Sequence, residues 1–255
     1  MTRPDWLFTA LAFKVLWRAM ERDVLPYPLQ FRSTADTVED FEQAWKNQAV
    51  AVAAHFDESL YGALRVLAEP EARLEMAGEI DGQRLRVHAA VLHRHAVLLQ
   101  QDSAGSPEHG GNVRMRMLAA EELPRRIAAM LPNIRPGQHP GFEHTRQDLE
   151  DADNRPRTSR LDDRVSPQHE AAAFFERPRS GVIQLAVYPG AAIDNRPAPS
   201  RGFHVMDYPD GRYLVRSGAT VKVSPGDRMT VATDLDRVLK VTVGSYREQH
   251  GPSYR

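Results

Sequence analysis

Two stretches of the chain follow one plan, 106 to 108 residues apart, and this repeat limits the possible folds more than any single motif does. The first passes from Pro70 through short alternating segments between Arg73 and Leu118 into a helical pattern at Glu121 to Leu131. The second passes from Pro178 through alternating segments between Val182 and Val223 into a helical pattern at Asp227 to Leu239. Pro70 matches Pro178, and Val113, Met115 and Met117 match Ala219, Val221 and Val223. Ile127, Met130 and Leu131 match Leu235, Val238 and Leu239. A β-meander followed by a helix cannot bury its apolar face alone, so a duplicated one predicts a pseudo-twofold scaffold. The expected fold is α+β: a central antiparallel sheet with a quasi-twofold internal repeat (57–132 and 167–244), flanked by helical layers. We expect one domain over 1–244 and a flexible tail over 245–255.

The repeat breaks at its loops. An 11-residue polar loop, Asp102 to Asn112, has only Ser217-Gly218 as its counterpart. Conversely, the tight Asp81-Gly82 turn, a strong hairpin signal, corresponds to the long loop Pro189 to Ser200. Loops carry binding out of proportion to their length. The expected partner-binding residues are therefore Asp102, Ser103, Pro107, Glu108, His109, Gly111 and Asn112.

Outside the repeat, a first helix is expected from Pro4-Asp5, apolar on most sides, ending before the extended connector Leu25-Pro26-Tyr27-Pro28-Leu29. A second, Thr37 to Phe56, carries the stripe Phe41, Trp45, Ala49, Val52 and Phe56, and Trp17 and Trp45 are expected in the core. A third starts at the N-cap Asp57 and ends at Pro70. Pro132 to Pro140 has the composition of a linker, and Glu143 to Asp153 and Pro167 to Glu176 have that of helices. The mixed-charge run Asn154 to Arg164 reads as a solvated segment. Ser224 and Pro225 are placed at the start of the last helix.

Composition excludes several functions. Net charge is −1, which gives no electrostatic footprint for nucleic acid. The chain has no cysteine, so thiol catalysis and disulfides are ruled out. The apolar run Trp6 to Phe13 is too short to span a membrane. His93 and His95 sit two apart on a strand and could share a metal, with His88 nearby, but spacing supplies no further ligand. The pairs Glu121-Glu122 and Asp162-Asp163 suit a helix start and a solvated run. No frame around a serine makes a nucleophile elbow, and the glycine pairs lack a phosphate-loop pattern. No cofactor is expected.

The segments Phe13-Lys14-Val15-Leu16-Trp17, Leu25-Pro26-Tyr27-Pro28-Leu29 and Ala63 to Pro70 occur in order along the chain. Arg177-Pro178-Arg179-Ser180-Gly181, Asp210 to Leu214 and Val221 to Asp227 follow. Together they resemble the EspG family, chaperones of type VII (ESX) secretion. The resemblance implies a cytoplasmic, non-enzymatic protein, monomeric or weakly dimeric, without membrane insertion. It would bind a helical-hairpin client, a PE–PPE-like or WXG-type secreted heterodimer, and pass it to the ESX machinery. The alternative is a metal-dependent enzyme with its site at His93 and His95.

Overall fold

The computed structural model describes residues 4–104, 109–150, 166–192 and 199–251. The chain begins with β1 (Asp5–Phe8), α1 (Ala10–Ala19), α2 (Val38–Ala53) and α3 (Glu58–Ala68). A meander follows: β2 (Ala72–Ile80), β3 (Gln83–Leu92), β4 (His95–Ser103) and β5 (Gly110–Ala119). It leads through a 3-10 turn into α4 (Leu123–Ala129). Then come β6 (Phe142–Thr145), α5 (Arg146–Glu150) and α6 (Pro167–Phe175). The second meander comprises β7 (Gly181–Pro189), β8 (Arg201–Tyr208), β9 (Gly211–Ser217) and β10 (Thr220–Pro225), and α7 (Arg228–His250) closes the fold.

Among the described residues these strands form one antiparallel sheet of ten, in the order β1-β5-β4-β3-β2-β7-β8-β9-β10-β6. The order is symmetric about the β2–β7 pair, whose nine-residue register runs from Ala72↔Pro189 to Ile80↔Gly181. Because side chains alternate across a strand, the two faces of the sheet build separate cores. On one face, Leu74, Met76, Val87, Ala89, Ile183, Leu185 and Val205 pack under α4 and α7, in the largest apolar cluster. On the other face the helices divide. Phe13, Leu16, Leu60, Leu64 and Leu67 of α1 and α3 cover Leu99, Val113 and Met115 at one end of the sheet. Phe174 of α6 covers Phe142, Tyr208, Tyr213 and Val223 at the other.

Local chemistry explains most of the boundaries. In the β2–β3 hairpin, Asp81 and Gly82 have φ of 49° and 75°, the two left-handed residues that match a turn to strand twist. Asp57 caps α3 by accepting from Leu60 N at 2.7 Å.

Several expectations change. Residues Asp5–Phe8 are an edge strand, not a helix start: they pair with β5, and Arg116 donates to Asp5 at 2.9 Å. The first helix instead starts after Thr9, whose hydroxyl accepts from Ala12 N at 3.1 Å. Residues 142–145 pair with β10 and are likewise a strand. The final helix is capped by Asp227 in a reciprocal capping box with Thr230, because β10 holds Ser224 and Pro225 extended. Helix α7 continues through residues 245–250, where a frayed tail is expected. The stretch Pro132 to Pro140 is no free linker. Pro136 bridges Arg212, and the backbone at Gly137 passes so close to Tyr213 that a Cβ would fall 1.9 Å from its ring. The charged run 154–164 lies outside the described residues.

Trp45 is also reassigned. Helix α2 has no fully buried residue: it packs beside α1 rather than on the sheet, and Trp45 is half-buried against Phe41. Trp17 is 6% exposed, with its indole N–H donating to Val24 O at 2.8 Å. Trp17→Ala should therefore cost about 3–5 kcal/mol, and Trp45→Ala about 1 kcal/mol, as expected for a partly exposed position. Chemical denaturation of both variants checks the ranking.

The far end of α7 is held to β2 by Arg247, which donates to both carboxylate oxygens of Glu71 at 2.7 and 2.8 Å. The hydrogen bond from Arg247 outweighs burial and lowers the Glu71 pKa. The stabilisation is therefore fully present above the ordinary carboxylate range and is lost as pH falls through the depressed folded value. Glu71→Gln should cost about 1 kcal/mol at neutral pH, discounted for the exposed Arg247 side. It should also flatten the acid limb of a stability–pH profile, which urea melts at several pH values would show.

Candidate functional site: an uncovered strip of the sheet

The face that carries α1, α3 and α6 is left open in its middle, over β2, β7 and β8. Strand register places the floor residues in rows. Glu75 lies opposite Ala186, Ala77 opposite Gln184, and Arg73 opposite Tyr188. On β8, His204 lies opposite Gln184, Gly202 opposite Ala186, and Met206 opposite Val182. Gln184 and Gly202 are exposed, and Ala77, Val182, Tyr188, His204 and Met206 half-exposed.

The connector Tyr27 to Gln30 forms one bank, held to the sheet by buried polar side chains. The ring of His88, 3% exposed, meets Tyr27 O at 2.8 Å through Nδ1. Because a carbonyl only accepts, Nδ1 carries the proton. Gln101 closes a two-way pair with Gln30, accepting from its N–H at 2.8 Å and donating to its carbonyl at 2.7 Å. Arg86 donates to the Gln30 side chain at 3.2 Å. Above this bank Tyr27 is 58% exposed. The opposite bank is α6, fastened through Phe174 and through His144, whose Nε2 lies 2.8 Å from Glu170.

Electrostatically the floor carries the Arg73–Glu75 ion pair and a half-buried histidine, His204. Burial raises the Glu75 carboxyl pKa against the opposing pull of Arg73, which donates to it at 3.2 Å and stacks 4.3 Å over Tyr188. Burial lowers the pKa of His204, and takes that of His88 down to about 4. Small residues (Ala77, Ala186, Gly202) interspersed with hydrogen-bonding side chains and the paired Arg73 and Glu75 suit an apolar partner with a few hydrogen-bonding groups, since burying unpaired charge is costly.

The described residues singled out from sequence fall beside the connector bank. Asp102 and Ser103 finish β4, Gly111 and Asn112 lie within β5, and His109 just precedes it, so the loop is narrower than the Asp102–Asn112 span expected. Pro107 and Glu108 lie outside the described residues. Gly110 abuts the connector: a Cβ there would fall 2.0 Å from Gln30 O. The hairpin thus braces one bank and does not lie on the floor. The floor residues themselves were missed by sequence reasoning. Their signal was present in the polar interruptions Arg73, Glu75, Gln184 and His204 within apolar strands.

His93 and His95 do not assemble a centre. His93 sits in a turn at φ 54°, and its Nδ1 lies 3.3 Å from Glu71 Oε1, while His88 is committed to Tyr27. Among the described residues no group of three or more His, Cys, Asp or Glu could hold a metal. No helix among them is long and apolar enough to cross a membrane.

The sequence pattern of the EspG family matches residues 9–237, most of the chain. This chain belongs to the EspG family. A search for individual curated relatives finds no match. The family is non-enzymatic and associated with ESX secretion, and the matched span includes both banks and the whole floor of this EspG sheet.

His88 allows a test of the bank. Its folded pKa lies below its ordinary value of 6.5, at about 4. No effect is expected above pH 6.5, where both states are neutral. Below it the unfolded chain protonates first, and stability falls until about pH 4, by roughly 3 kcal/mol in all. Urea melts between pH 7 and 4 should show this loss, and His88→Gln should remove most of the slope.

Proposed function

We propose that this EspG-family protein is a cytoplasmic type VII secretion chaperone. It holds a helical-hairpin client, a PE–PPE-like or related WXG-type heterodimer, and delivers it to the ESX machinery. The observation that carries this reading is the open strip over β2, β7 and β8 on a sheet face otherwise covered by helices. Uncovering the middle of a sheet that is buried at both ends leaves apolar and polar groups ready for a partner. The client's apolar end docks on Ala77, Val182, Gln184 and Met206 between the connector and α6. The β4–β5 hairpin contributes from beside the connector bank, and its polar residues discriminate between clients rather than supply most of the affinity. Membership of a non-enzymatic, secretion-associated family supports a binding role over the metal-enzyme alternative.

The test is co-expression with each small helical-hairpin protein pair encoded in the same secretion locus, followed by size-exclusion chromatography and calorimetry. One pair should co-elute stoichiometrically. Gln184→Trp, which places a bulky ring on the exposed floor, should leave the melting point nearly unchanged, as surface substitutions do. It should weaken that complex at least about tenfold, the scale of one blocked hot spot. Parent-like binding by Gln184→Trp would remove the strip from the interface.

The hairpin is tested separately. Replacing residues 104–109 by a two-residue turn should spare stability and reduce discrimination between cognate and non-cognate pairs. If the shortened protein discriminates as well as the parent, the hairpin has no role in recognition.

A further inference from the structure

The bank formed by α6 is weakly fastened for a wall that must resist a docking partner. The helix has nine residues, of which only Ala171 and Phe174 are buried. Immediately beyond its end, the Arg177 guanidinium enters a cage of three rings. It lies 4.6 Å from the centroid of Tyr208, 5.3 Å from Phe174 and 5.7 Å from Tyr213. Asp210, in the β8–β9 turn, closes the cage by accepting from Arg177 and from the Tyr213 hydroxyl. That hydroxyl in turn accepts from His139 N at 2.8 Å, so the cage also holds the segment that precedes β6.

Aromatic rings around a cation, with one carboxylate, are the arrangement proteins use to hold a cationic ligand. Here the ligand belongs to the chain itself and sits at the junction between the helical bank and β7. The cage residues also form the packing surface of Phe174, so occupation of the cage and seating of α6 are coupled. The Arg177 side chain keeps 28% of its surface accessible, which leaves the contact open to solvent competition.

We propose that Arg177 is a positioning residue, an internal ligand whose seating in the Tyr208–Phe174–Tyr213–Asp210 cage latches α6 and so sets the width of the client strip. Its link to client affinity rests on the chaperone reading above; its latching of α6 does not. The guanidinium supplies a flat face to Tyr208 and N–H groups to Asp210 at once, which a methionine of similar length cannot do.

The experiment is amide hydrogen exchange on the full chain, comparing the parent with Arg177→Met and Arg177→Lys. Arg177→Met should speed exchange within 167–176 about tenfold, the size of one partly desolvated cation–π contact. Exchange in β4 and α7, which hold no cage residue, should stay at parent rates. Arg177→Lys, which keeps the cation, should recover part of the protection. Parent-like exchange in α6 of Arg177→Met overturns the latch. So does a rise spread evenly over the sheet, which marks a merely structural residue.

A second arm measures affinity for the hairpin pair that co-elutes with the parent. About tenfold weakening in Arg177→Met, partly restored in Arg177→Lys, is expected from the same contact. Equal affinity with a loosened α6 would sever the latch from the strip. If no hairpin pair binds the parent, the chaperone reading fails, and the exchange arm still decides the latch.

Discussion

The pairing of β2 with β7 is the constraint on which the rest depends. Each meander alone would end in an unpaired edge and a half-covered face. Nine residues of register join the two into one sheet and align their apolar faces, so α4 and α7 share a single cluster. Long-range pairing of this kind costs loop-closure entropy before it returns any contact. The joint is accordingly reinforced where it begins. Glu71 N donates to Val91 O at 2.8 Å and Gly190 N to Glu71 O at 3.0 Å, while the Glu71 carboxylate receives Arg247. One residue thus links β2, β3, β7 and the far end of α7.

The same pairing creates the open strip. Helices α3 and α6 each precede a meander, and each covers the strands toward its own outer edge. The two central strands and β8 are left between them. Their floor differs from the opposite face of the same strands. Leu74, Met76, Ile183 and Leu185 face α7, while Arg73, Glu75, Gln184 and Tyr188 alternate with them toward the strip. Burial raises the Glu75 carboxyl pKa and lowers that of His204, so the charged form of each is disfavoured on the floor.

Much of the scaffold was legible from residue pattern. Alternation located both meanders over the spans Arg73 to Leu118 and Val182 to Val223, because a one-residue slip would exchange the core and open faces. Asp81-Gly82 and Asp57 acted through local backbone chemistry and were readable as such. The errors have a common cause. Asp5–Phe8 and Phe142–Thr145 are short and become strands only by pairing with β5 and β10, which no local window contains. The stripe on α2 identified an apolar face from Phe41 to Val52 but not its partner, and Phe56 lies past the helix end, exposed. Packing on another helix, and not on the sheet, left Trp45 half-buried.

The amino-acid sequence by itself determined the antiparallel α+β class, the absence of thiol chemistry and the resemblance to the EspG family. These depend on periodicity, composition and ordered motifs, which are local or cumulative along the chain. Tertiary structure decided where the strip lies, that the β4–β5 hairpin braces its bank, and that Arg177 sits among Tyr208, Phe174 and Tyr213. The strip exists only once the β2–β7 joint has brought the two halves together, and the other two contacts join residues some 30 to 80 positions apart, beyond the reach of any local window.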